Sequence, residues 1–71
     1  MVKYADFFGS TTQDEFDEGY YNIARKEALD DLNKFIKDDS SIISIIQDES
    51  YYVDSHNKYV HCVFLQVYYK G

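Results

Sequence analysis

The stretch Tyr59–Tyr69, YVHCVFLQVYY, decides how the chain is read. Side chains alternate across a strand, so Tyr59, Val63, Leu65, Val67 and Tyr69 point one way, and Val60, Cys62, Phe64 and Tyr68 point the other. Both sets are apolar or aromatic. A chain of 71 residues with one good helix covers only one side of a sheet, and the second side needs a partner, most simply further copies of the same chain.

Working outward, Asp54 to Lys58 (DSHNK) reads as a tight turn, and Ile42 to Val53 as the strand that precedes it. That strand opens IISII and ends SYYV, a β-branched and aromatic composition that suits a strand better than a helix. The register of the hairpin is open, because a one-residue slip exchanges the faces. From Tyr21 to Asp38, Tyr21, Ala24, Ala28, Leu32 and Phe35 recur at helical spacing, flanked by Leu29 and Ile36, and form a stripe able to lie on a sheet. Lys26/Asp30, Asp30/Lys34 and Lys34/Asp38 are four apart on the outer surface and read as solvated pairs. Val2 to Phe8 reads as a first strand closed by Gly9-Ser10. Thr12 and Glu15 have the spacing of a capping box, and Asp14, Asp17 and Glu18 add charge that favours a helix N-terminus. Gly19 leaves two starts open: a helix from Thr12 weakened at Gly19, or a short turn ending at Gly19 before a helix that starts near Tyr21.

The expectation is one α+β domain over residues 1–71, with element order β-α-β-β. A right-handed crossover makes the first two strands parallel, and the most apolar strand takes the centre. This gives a three-stranded antiparallel sheet of order 2-3-1 with the helix packed on one face. The segments LNKFIK, IISII and LQVYYK, in that order after a short first strand, resemble a small sporulation-associated protein family of bacilli over the last two thirds of the chain. That resemblance implies a sporulation role. Length and element order are also similar to dodecins, small flavin-storing proteins that assemble into hollow shells. The chain has no tryptophan to stack on a flavin, so flavin storage is not carried over.

Composition narrows the function classes. At 45% hydrophobic and 18% aromatic residues, the chain is too rich in core formers to stay disordered. Its formal charge of -6 argues against neutralising nucleic-acid phosphates and against anionic membranes. A single cysteine, Cys62, and the lack of any zinc-type Cys/His spacing point to a soluble protein of a reducing cytoplasm, with no metal or cofactor and with oligomerisation as the route to extra stability. His61 and Cys62, as neighbours on a strand, face opposite ways and form no nucleophile and base pair. His56, beside Asp54 and Asn57, belongs to a turn.

The candidate binding residues are of two kinds. Tyr20, Tyr21, Tyr52, Tyr59, Phe64 and Tyr68 offer aromatic surface for another subunit or, between subunits, for a flat ligand such as a nucleotide base. Asp14, Glu15, Asp17 and Glu18 read first as helix capping and second as an acidic surface that docks on a basic protein groove. No carboxylate pair sits in the unequal environments that acid and base catalysis needs, and the chain is read as no enzyme. The expected function is that of a small acidic homo-oligomer that occupies a partner protein, as phage and mobile-element inhibitors do. An oligomeric sponge for an aromatic or nucleotide ligand is the alternative.

Overall fold

The computed structural model describes all 71 residues. Strand β1 (Val2–Gln13) leads through a short 3-10 turn (Glu18–Tyr20) into helix α1 (Tyr21–Phe35). A second 3-10 turn (Asp39–Ser41) precedes strands β2 (Ile42–Val53) and β3 (Tyr59–Lys70). β3 is central and antiparallel to both neighbours, which gives the sheet order β1-β3-β2. This is the α+β arrangement expected, with the most apolar strand in the middle.

The register of the hairpin is fixed by its turn. Val53 sits opposite Tyr59, with the Asp54 carboxylate accepting from the backbone N–H groups of His56 (2.8 Å) and Lys58 (3.0 Å). Asn57 takes the left-handed conformation (φ 60), which a short polar side chain tolerates. Those two N–H groups hold the Asp54 carboxyl below its usual 3.8. A register shift between Ile42 and Ser44 ends the regular pairing at the far end.

The first strand is longer than its composition foretells. Gly9, Ser10, Thr11, Thr12 and Gln13 continue β1 opposite Val63, Cys62, His61, Val60 and Tyr59. The Thr12/Glu15 capping box is therefore overturned, because Thr12 is a paired strand residue and the helix begins after Gly19, at Tyr21. Asp17 caps the 3-10 turn instead, its carboxylate accepting from the Gly19 N–H at 2.8 Å. The N-cap of α1 is Tyr20, which makes no side-chain capping bond. At the other end the helix stops at Phe35, short of Asp38, with Ile36 extended yet still buried.

The core is the layer between α1 and the sheet. Tyr21, Ala24, Ala28, Leu32 and Ile36 meet Val63, Leu65 and Val67 of β3, with Phe7, Leu29, Ile42 and Tyr69 packed around them. Gly9 sets the distance of approach. A Cβ on Gly9 would overlap the carbonyl oxygen of Ala24 and come within 2.8 Å of the Ala28 amide nitrogen, so backbone lies against backbone here. The contact holds α1 over β1 and β3 and leaves β2 outside its cover: eleven of the twelve β2 residues are exposed, with only Ile42 half-buried. Of the three i, i+4 pairs on the helix exterior, Lys26 and Asp30 form an ion pair at 3.3 Å.

Candidate functional site

Three surfaces carry the residues that the sequence singles out. The first is the sheet face away from the helix. Pairing places its side chains in transverse rows: Tyr4, Tyr68 and Ser44; Asp6, Gln66 and Ile46; Phe8, Phe64 and Asp48; Ser10, Cys62 and Ser50; Thr12, Val60 and Tyr52. Two aromatic pairs stand up from it, Tyr4 with Tyr68 at 5.2 Å and Phe8 with Phe64 at 4.9 Å between ring centroids. Phe64 is 45% exposed and Tyr52 56%. Val60 and Cys62, in contrast, are buried on this same uncovered side, in the central strand. Burial pushes the Cys62 thiol up, away from the thiolate, which fits a packed small hydrophobe. The Tyr4 hydroxyl donates to the Asp6 carboxylate, and this bond pushes the Tyr4 pKa up to about 12.

The second surface is the end of the molecule where the 14–20 loop crosses the sheet. Asp14, Glu15, Asp17 and Glu18 are all exposed in it. Asp14 is tied down by the Lys58 ammonium, and this hydrogen bond, helped by the carboxylate charge, raises the Lys58 pKa. The loop is pinned by an aromatic box around His61, which is wholly buried. The Phe16 ring stacks on the imidazole at 5.2 Å and 17°, while Tyr20 and Tyr21 meet it edge-on at 5.2 and 5.3 Å. The Asp17 backbone N–H donates to His61 Nε2 at 3.3 Å, which puts the imidazole proton on Nδ1, and Nδ1 has no partner. Tyr51 continues the cluster, 4.6 Å from Phe16 and 6.2 Å from Tyr59.

The third surface is the helix side of β2. Arg25 reaches out from α1, its Nε–H donating to Gln47 Oε1 (3.1 Å) and its Nη2 to Glu49 Oε2 (3.5 Å). Around this bridge Ile45, Tyr51 and Val53 are about half-exposed.

The structure thus divides the candidate residues. Tyr52, Phe64 and Tyr68 share the open sheet face. Tyr20 and Tyr59 lie on the helix side of the loop end with the four acids, and Tyr21 is buried in the core. The Tyr51/Tyr52 and Tyr68/Tyr69 pairs each send one ring to either side, as consecutive strand residues do. Sequence reasoning left out Tyr4, Phe8 and Ile46, although the alternation in VKYADFF carries the first two; it also left out Phe16, whose stacking on His61 joins positions 45 apart and leaves no local signal. His61 and Cys62 do face opposite ways, and neither is open to a reactant. No three His, Cys, Asp or Glu side chains converge as metal ligands would. The one concavity, of about 310 Å³, lies on the outer surface of α1 among Ile23, Lys26, Glu27, Asp30, Asp31 and Lys34, away from the tyrosines. No helix is long and apolar enough to cross a membrane.

No family model, no curated protein and no solved structure matches this chain.

Proposed function

We propose that the protein is a non-catalytic, homo-oligomeric binding protein that acts by occupying a partner protein, in the manner of the small acidic inhibitors that phages and mobile elements carry. The observation that carries this reading is the surplus of exposed aromatic and aliphatic surface on a chain this small. Tyr4, Phe8, Ile46, Tyr52, Phe64 and Tyr68 are exposed on the side that α1 does not cover, and Ile45, Tyr51 and Val53 on the other side of β2. So many large apolar side chains exposed on so short a chain suit an interaction surface, and tyrosine and phenylalanine concentrate where proteins meet proteins. The second support is charge. Glu15, Asp17 and Glu18 flank Phe16 along a chain of formal charge -6, an arrangement suited to a basic protein groove.

The work is divided between these surfaces: the open sheet face holds copies together, and the acidic, aromatic end meets the partner. The test is to capture a target on the native oligomer, purify it, and rebuild the complex from the two components. The reading expects a complex of fixed stoichiometry that weakens as salt rises and that switches off the target's activity. Failure of the purified, oligomeric protein to form such a complex with any captured candidate overturns the partner role.

A further inference from the structure

The open sheet face is self-complementary across one particular two-fold axis, and we infer that a second copy of this chain packs against it sheet to sheet in that register. The inference rests on the self-association half of the function proposed above and gives it a geometry.

The relief of the face comes first. The Phe8 and Phe64 rings form a ridge across β1 and β3, with centroids 4.9 Å apart. The next row, Ser10, Cys62 and Ser50, has only small side chains, so a tall row borders a low one of matching direction. Consider a two-fold axis in the plane of the interface, perpendicular to the strands and midway between these rows. It stacks each strand on its own copy running the opposite way. Phe64 then lies over Cys62 of the second copy and Phe8 over Ser10, and each contact occurs twice, as a closed dimer requires. The tall row of each copy meets the low row of the other.

The charged groups agree with this register, while the half-buried Gln66 lies over Val60. The same axis sets Asp48 over the Ser50 hydroxyl and Asp6 over the Thr12 hydroxyl, and places Ile46 against Tyr52. No carboxylate faces a carboxylate. Sheets packed face to face cross at about 30°, so the match is tightest in these central rows and opens toward the ends.

The contact area follows from the register. The axis overlaps residues 5–13, 59–67 and 45–53 with their copies, roughly 30 Å of strand across a face about 14 Å wide, or on the order of 400 Å² projected, which is the size of a small, concentration-dependent dimer. Pairing through the free edge of β2 offers a strip of similar area. About the middle of that strand, however, edge pairing crowds Asp48 and Glu49 of both copies together.

Ser50 provides the test, since it is exposed and far from the core. Ser50→Lys sets an ammonium over Asp48 of the other copy, and Ser50→Asp sets a carboxylate there. Dimer dissociation constants, measured by sedimentation equilibrium, are expected to move roughly ten-fold in opposite directions, tighter for Ser50→Lys and weaker for Ser50→Asp, with the gap closing at high salt. Asn33→Lys and Asn33→Asp, which make the same charge changes on the exposed helix, control for net charge. A wild-type protein that stays monomeric at hundreds of micromolar overturns this interface together with the self-association it rests on. A wild-type dimer whose dissociation constant follows net charge equally at both positions overturns the interface alone and leaves self-association standing. Circular dichroism and melting temperature, unchanged in all four variants, show that folding is not what moves.

Discussion

β1 and β2 are flanking strands of equal length against the same central strand, and they live in different surroundings. β1 has the weaker strand composition, with Gly9, Ser10 and two threonines, yet its helix-facing residues from Ala5 to Gln13 are buried or half-buried. β2 has four isoleucines, two tyrosines and a valine, and is exposed over all but its first residue. Hydrophobicity therefore does not decide which strand the helix covers. Backbone access does, because Gly9 presents no side chain and Ala24 and Ala28 present small ones, so the helix settles where it can come closest.

Gly9→Ala breaks the comparison most directly. With the new methyl overlapping the Ala24 carbonyl, the helix must lift from β1, and the loss of stability in urea unfolding is expected to be about 3 kcal/mol or more. A loss below 1 kcal/mol would show that the helix has room to shift toward β2. Next comes a matched pair of truncations. Leu65→Ala, in a fully buried side chain of β3, is expected to cost about 3 kcal/mol. Ile45→Ala, in a half-exposed side chain on β2, should cost less than about 1 kcal/mol when measured at concentrations too dilute for association. Similar values for the two would mean that β2 is covered in solution.

Smaller effects sharpen the contrast at the hairpin and the helix exterior. The Asp54 carboxyl sits below its usual 3.8 because two backbone N–H groups bind its charged form. The stability this lends is complete above about pH 5 and is lost as pH falls through 3.8 and on through the lowered value. Asp54→Asn is therefore expected to flatten the acid limb of a plot of unfolding midpoint against pH below about 4. An unchanged limb would assign acid sensitivity elsewhere. Least of all, Asp30→Ala removes the exposed pair with Lys26 and should change stability by less than about 0.5 kcal/mol.

Much of this fold is legible in the residues, and the reasons differ by element. β2 and β3 announce themselves by β-branched and aromatic runs bounded by Asp54-Ser55-His56-Asn57, and the Ala24, Ala28, Leu32 stripe marks the helix. The second half of β1 does not, because Gly9 to Gln13 has the composition of a loop. It is a strand because β3 offers partners as far as Tyr59 and because the helix backbone needs the space above Gly9. The burial of His61 was equally hidden: a polar residue in an apolar strand acquires its meaning from Phe16, Tyr20 and Tyr21, which chain connectivity alone does not bring near. For the site, the alternation in Tyr59–Tyr69 separates the two sheet faces correctly. It does not reveal that Val60 and Cys62 are buried while Phe64 is exposed, since burial on this face depends on side chains of all three strands.

The elongated outline, 44 × 17 × 15 Å, changes how the molecule moves through water. Its radius of gyration of 13.7 Å exceeds the roughly 11 Å of a spherical chain of this length. Such a rod meets more drag than a sphere of equal mass, so a lone molecule travels through a porous matrix as though it were heavier. A paired molecule stacked side by side doubles its mass with little added length and grows rounder, so association raises its mass far more than its friction.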